Sequence, residues 1–143
     1  MEGLRRRIEE TARLAGLDRV GFAGTEPFPE VEASMRRRID NGMSAGLGFT
    51  YRDPGTATAP RVSFPWGRTL VVGARAYLPE SGSPDSTESE IPTGRVSRVA
   101  AGDGYEPLRR GLEAIADLLV VAGYRAEVLC DDHRLVDRAA AVR

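Results

Sequence analysis

Lysine is missing from this sequence: all 20 basic residues among its 143 are arginine. Cysteine and histidine occur once each, as Cys130 and His133. A single cysteine excludes an intrachain disulfide. It also excludes a metal or iron–sulfur centre built from this chain's own thiolates, because such centres need several. One histidine likewise excludes a multi-histidine metal site. No apolar run comes near the roughly 18 residues that a membrane-spanning helix requires. The opening Met1-Glu-Gly-Leu-Arg-Arg-Arg-Ile-Glu-Glu is charged and helix-forming, with no apolar signal-peptide core. These absences together predict a cytoplasmic protein without membrane contact.

The formal net charge of −1 argues against binding nucleic acid through bulk electrostatics. Arginine is nevertheless the better fork for phosphate. Local patches at Arg5 to Arg7, Arg36 to Arg38 and Arg109-Arg110 would suit an RNA partner. Each lies on a predicted helix, where a charged face is ordinarily just solvated, so the structural reading comes first. With 41% hydrophobic and 29% charged residues the composition is that of a soluble globular chain. Its length fits one domain, residues 1–143, with a real core.

Hydrophobic spacing predicts a helix over 2–15, carrying Leu4, Ile8, Ala12 and Ala15 and stopped by Gly16. A strand over 17–23 follows, with Val20 and Phe22 on one face. A second helix over 29–41 buries Val31, Met35 and Ile39, with Gly42 as its C-cap. Residues 42–68 are rich in Gly and Pro, lack a clear period, and hold Phe49, Tyr51, Phe64 and Trp66. Long ordered loops of this kind are often functional.

Thr69 to Leu78 is the strongest strand signal and is expected at the centre of a sheet. Residues 79–93, with four acidic and no basic residues, read as a mobile acidic loop. Order resumes at 94–102, as a short strand, before a long helix over 105–122. That helix puts Leu108, Leu112, Ile115 and Leu119 on one face and stops at Gly123. A strand over 125–130 and a last helix starting at Asp131-Asp132 complete the chain. The fold class expected is α+β, a mostly antiparallel sheet flanked by helices.

Chemistry has two candidate positions. Asp131 stands where an apolar strand meets a helix, so its carboxyl would sit at a cavity edge, partly shielded from water. Burial raises a carboxyl pKa, as a proton donor near neutral pH requires. The plainer alternative is that Asp131 or Asp132 only caps the helix. Both hold if Asp132 caps and Asp131 is the acid. The segment from Gly94 to Tyr105, with Arg95, Arg98, Gly102 and Gly104, has the makings of a phosphate or amide cradle before a helix. Turn-forming glycine before a helix is also commonplace. His133 reads as a surface residue and Cys130 as a packed strand residue.

In order and spacing, five segments resemble the N-terminal region of the epoxyqueuosine reductases. They are Leu-Asp-Arg-Val-Gly-Phe-Ala (17–23), Gly-Met…Phe-Thr-Tyr-Arg-Asp-Pro (42–54), Arg-Thr-Leu-Val-Val-Gly-Ala-Arg-Ala-Tyr-Leu-Pro (68–79), Gly-Arg-Val-Ser-Arg (94–98) and Asp-Asp-His-Arg-Leu-Val-Asp-Arg-Ala-Ala-Ala (131–141). The resemblance covers nearly the whole chain, and it is carried by the series rather than by one motif. It implies an N-terminal domain similar to cobalamin-processing and nitroreductase-like folds. It further implies an oxidoreductase that reduces epoxyqueuosine to queuosine in tRNA with cobalamin and two [4Fe–4S] clusters.

By the same resemblance Asp131 matches the proposed general acid. Arg95, Arg98, Gly102 and Tyr105 fall on the segment lining the cobalamin pocket, and Arg138 matches the arginine of the helix after the acid. The clusters belong to a ferredoxin-like segment beyond these residues, so the chain is expected to be a fragment, monomeric and unable to turn over alone. Departures stand at Val99, Gly104 and Glu106, where the family commonly has an aromatic residue and an Asp-Tyr-His run. A stand-alone cobalamin-binding or trafficking-type module without reductase activity is the competing expectation.

Overall fold

A computed structural model describes residues 2–77 and 102–143. Helix α1 covers Glu2–Leu14, and its apolar stripe buries Ile8 and Ala12. Gly16 ends it at φ 82°, a conformation that costs glycine nothing. There the amides of Gly16 and Leu17 return to Arg13 O and Ala12 O at 3.2 and 2.9 Å, satisfying two free carbonyls. The chain then enters strand β1, Arg19–Ala23. Helix α2, Pro29–Asp40, begins on the expected proline and buries Met35.

The Gly/Pro-rich stretch is not shapeless. It holds a 3-10 turn at Phe49–Arg52 and two single-turn helices, α3 (Pro54–Ala57) and α4 (Pro60–Ser63). Both short helices start on proline. Asp53 caps α3 by accepting from Thr56 N at 3.1 Å and Thr56 Oγ1 at 2.6 Å. Those bonds, the hydroxyl's first, hold the Asp53 carboxyl below its ordinary pKa. Thr58 is wholly buried, and its hydroxyl donates to Pro54 O at 2.6 Å, so no buried polar group there is left unpaired.

Strand β2, Leu70–Ala74, pairs antiparallel with β1 in the register Arg19↔Ala74 to Ala23↔Leu70. Helix α5, Tyr105–Val121, and the short α6, Asp137–Ala141, follow. Side chains of β2 alternate between two cores. Val71 joins Val20 and Phe22 against Ile8, Ala12, Leu17 and Ile115, the seam between α1, α5 and one sheet face. Leu70 and Val72 face the other way, against Phe28, Leu135 and Ala140. Helix α5 approaches the α1–β1 connection closely at Gly111, where a Cβ would stand 2.6 Å from Leu17 Cγ; only glycine leaves room for that leucine.

The α+β class and the antiparallel pairing are as expected. Three expectations are corrected. The strand over 69–78 is shorter, Leu70–Ala74, and among the described residues it pairs with β1 in a two-stranded sheet. Residues 125–130 form no strand among the described residues. The alternation of Ala126, Val128 and Cys130 reports an extended backbone lying on an apolar surface, without a described ladder. The last helix starts at Asp137, six residues later than Asp131. The expectation for 79–93, and that for 94–102 up to residue 101, lie outside the described residues. No described helix is long and apolar enough to cross a membrane.

Candidate functional site

Two clefts meet at Asp131. The inner one, about 250 Å³, lies between β2, α5 and the extended segment 125–131. Its walls are mainly apolar: Leu70, Val72, Leu112, Leu119 and Val128, with Trp66 and Arg125 also in its lining. The outer one is open and larger, about 650 Å³. Its floor is Met35, Val136 and Ala139, and its rim carries Arg38, Tyr51, His133 and Arg138. Tyr105, Asp131, Asp132, Leu135 and Asp137 line both, so they form the shared rim.

Local chemistry explains how the chain makes this rim. Asp131 has φ 56°, a left-handed conformation that aspartate tolerates better than most residues. It turns the chain sharply after the extended run. Asp132 then accepts from Arg134 N at 2.9 Å, an Asx turn that competes with helix initiation. The Arg134 guanidinium binds the same carboxylate at 2.7 Å and Glu127 at 3.0 Å. Arg134 holds the Asp132 carboxyl below its ordinary pKa, chiefly through the side-chain hydrogen bond, and thus keeps it ionised. Val136 N reaches back to Ala57 O at 3.1 Å, fixing the turn to α3.

These facts revise the choice between acid and cap. Neither aspartate caps α6, whose N-cap is Val136, with no side-chain cap. Asp132 caps only its own turn. Asp131 is exposed, not shielded as the sequence suggested, and the backbone turns at that residue instead of running on into a helix. The cavity expected beside it is nevertheless present.

Of the other site residues read from the sequence, Tyr105 and Arg138 line the outer cleft with Asp131. Gly102 is exposed and is not among the lining residues of either cleft. Arg95 and Arg98 lie outside the described residues. The amide cradle before α5 is already filled: Asp103 Oδ1 accepts from Tyr105 N at 2.9 Å and Glu106 N at 3.1 Å. His133 is exposed, as expected. Cys130 is half-buried, and that burial pushes its thiol pKa up, so it is no thiolate nucleophile near neutrality.

Three cleft residues escaped sequence reasoning. Met35, Arg38 and Tyr51 line the outer cleft, with Arg38 Nη1 donating to Tyr51 Oη at 3.2 Å. The signals present were the aromatic-bearing loop 42–68 and the Arg36 to Arg38 cluster, neither of which pointed to this cleft. One arginine from each sequence cluster pairs on its own helix, Arg5 with Glu9, Arg36 with Glu32 and Arg110 with Glu106, as solvated helix faces do.

Comparison with known proteins gives two relatives. The chain is 28% identical over 144 residues to the epoxyqueuosine reductase of Staphylococcus aureus (strain NCTC 8325 / PS 47), covering 98% of this chain and 37% of that protein. It is 25% identical over 146 residues to the epoxyqueuosine reductase of Lactococcus garvieae (strain Lg2), covering 100% of this chain and 41% of that protein. No family model matches. No solved structure matches either. The chain thus spans about two fifths of the length of the curated relatives it matches, and over its whole length it is similar to epoxyqueuosine reductases.

Proposed function

We propose that this chain is the cobalamin-binding, proton-donating unit of a tRNA epoxyqueuosine reductase. The observation that carries the reading is the shared rim. Asp131, the residue that the resemblance makes the acid, stands with Tyr105 and Arg138 on one open cleft. A corrin is a flat apolar ring fringed with amides. The floor of Met35, Val136 and Ala139 suits such a ring, and the rim of Arg38, Tyr51, Tyr105 and Arg138 suits amides. At about 650 Å³ the cleft is also of ligand-site size. The residues fit the group.

The chemistry that cobalamin supplies when bound is electron delivery to the strained epoxide. Clusters that recharge it would lie outside this chain, which has one cysteine. What the chain itself supplies is orientation and a proton. Arg138 and Tyr105 orient the bound molecule from the rim, while Asp131 holds the proton for the departing oxygen. A carboxyl serves in that way near neutral pH when it is out of water. Asp131 is exposed in the free chain, so a bound cobalamin would have to cover it for this role.

The exposure of Asp131 also favours a second reading, a cobalamin-binding or trafficking-type module without reductase activity. That role needs the cleft and not the acid. Titration of hydroxocobalamin into the purified chain tests both readings at once. The expected result is a visible-spectrum change that saturates at one cofactor per chain and is lost in Ala139→Trp, which fills the cleft floor. No change at high micromolar cofactor would count against both.

A further inference from the structure

The arginines that stand out in the fold are not those clustered in the sequence. Arg125 stacks over the ring of Trp66, its Cζ 4.2 Å from the ring centroid. Phe64 meets the same tryptophan edge-on, with centroids 6.2 Å apart and planes at 80°. Arg61, in α4, donates through Nε to Thr25 Oγ1 at 2.9 Å, which leaves its two terminal nitrogens directed elsewhere. Arg68 follows Gly67, a residue placed against both Phe64 and Thr25. Arg61, Arg68 and Arg125 are all exposed, and none forms an ion pair among the described residues.

The contrast with neighbouring arginines is instructive. Arg134, over Phe64, is tied to Asp132 and Glu127. Arg143, over Phe28, is 3.8 Å from Glu26 and donates to Glu26 O and Pro27 O. Arg61, Arg68 and Arg125 thus stand without a carboxylate partner among the described residues, in a chain whose formal net charge is −1. Of the three, Arg125 is held by the Trp66 ring and Arg61 by Thr25. Stacking on an aromatic ring fixes the guanidinium plane and leaves its N–H edge free, so less freedom is lost when it grips an anion.

We infer that Arg125 on Trp66, with Arg61 and Arg68, is a contact surface for the phosphate backbone of the RNA substrate. This rests on the proposed function for the identity of the RNA; the geometry asks only for a polyanion with spaced phosphates. The location supports an RNA strand over a free anion or a membrane. Trp66 and Arg125 line the inner cleft whose other lining residues include Tyr105 and Asp131, so a backbone held here lies at the mouth of the site. Such contacts fix register and orientation, not base identity.

Trp66 is the sole tryptophan, so its fluorescence reports on this face alone. An RNA stem-loop with a seven-nucleotide anticodon loop, titrated into the full chain without cobalamin, is expected to change that fluorescence with a salt-dependent affinity. Arg125→Ala and Arg68→Ala are each expected to weaken binding about tenfold and to reduce the salt slope by roughly one. Arg68 makes no described side-chain bond, so its variant keeps the test independent of folding. Arg110→Ala, on the ion-paired face of α5, is expected to bind as the parent does. Binding untouched by Arg68→Ala and Arg125→Ala would overturn the inference. So would equal or tighter binding to phosphatidylserine vesicles, saturation by inorganic phosphate alone, or no RNA binding. Cobalamin titration reads the outer cleft separately, so loss of one result leaves the other intact.

Discussion

Asp131→Asn is expected to cut epoxide reduction by about 10²–10⁴-fold, the ordinary worth of a positioned general acid. The assay supplies cobalamin, epoxyqueuosine-containing tRNA and a low-potential chemical reductant in place of iron–sulfur clusters. The substitution isolates the proton. Asparagine tolerates the left-handed conformation that residue 131 adopts at φ 56°, so the turn that shapes the rim is retained. It is nearly isosteric but has no acidic proton to give. Cobalamin titration of the variant should match that of the parent. Alanine would be the poorer probe, because its Cβ at positive φ adds roughly 1–2 kcal/mol of backbone strain to the chemical loss. Undiminished reduction by Asp131→Asn would remove Asp131 from the proton path and leave the cleft as a binding site.

The second large effect is on stability. Ile115→Ala is expected to lower the unfolding free energy by about 2–5 kcal/mol, measured by urea denaturation. Ile115 is 3% exposed and sits with Ile8, Ala12 and Leu17 in the seam between α1 and α5. Its removal leaves a cavity that Gly111 cannot fill, since the backbone there already touches Leu17. The loss is a large share of the roughly 5–15 kcal/mol that holds a domain together. Ile115 also lines the inner cleft, so the seam that stabilises the fold is one wall of the site. A loss under about 1 kcal/mol would place Ile115 outside the main core.

The three long helices were legible because each carries an apolar stripe at helical spacing and a glycine at its end. Leu4, Ile8 and Ala12 followed by Gly16 are the clearest case. The antiparallel strand pair was legible from the alternation of Val20 and Phe22 and from the apolar run after Thr69. The 131–136 turn was not. Asp-Asp-His-Arg reads as a helix start, whereas the left-handed Asp131, the Asx turn at Asp132 and the pairing of Arg134 with Asp132 and Glu127 make it a turn.

The site divides the same way. Asp131 was legible from its place after an apolar run and, with Tyr105 and Arg138, from the resemblance; the fold brings the three to one cleft. Arg38 and Tyr51 were hidden, because the contact between α2 and the 3-10 turn is tertiary and leaves no periodic trace. Trp66 under Arg125 was hidden for the same reason: charge clustering along the chain points to helix faces, whereas stacking pairs residues far apart in sequence. The burial expected of Asp131 is not found: the residue is exposed, at a positive φ of 56° that no pattern in the sequence announces.

The seating of cobalamin over the outer cleft is tested most directly by NMR of the isotope-labelled chain with cob(II)alamin, whose unpaired electron broadens nearby resonances. Amide signals of Met35, Tyr51, Tyr105 and 131–139 should vanish on addition of the cofactor. Those of Arg6 and Arg13 on the outer face of α1 should persist. Sharp signals throughout 131–139 at saturating cofactor, or broadening confined to another face, would contradict the placement.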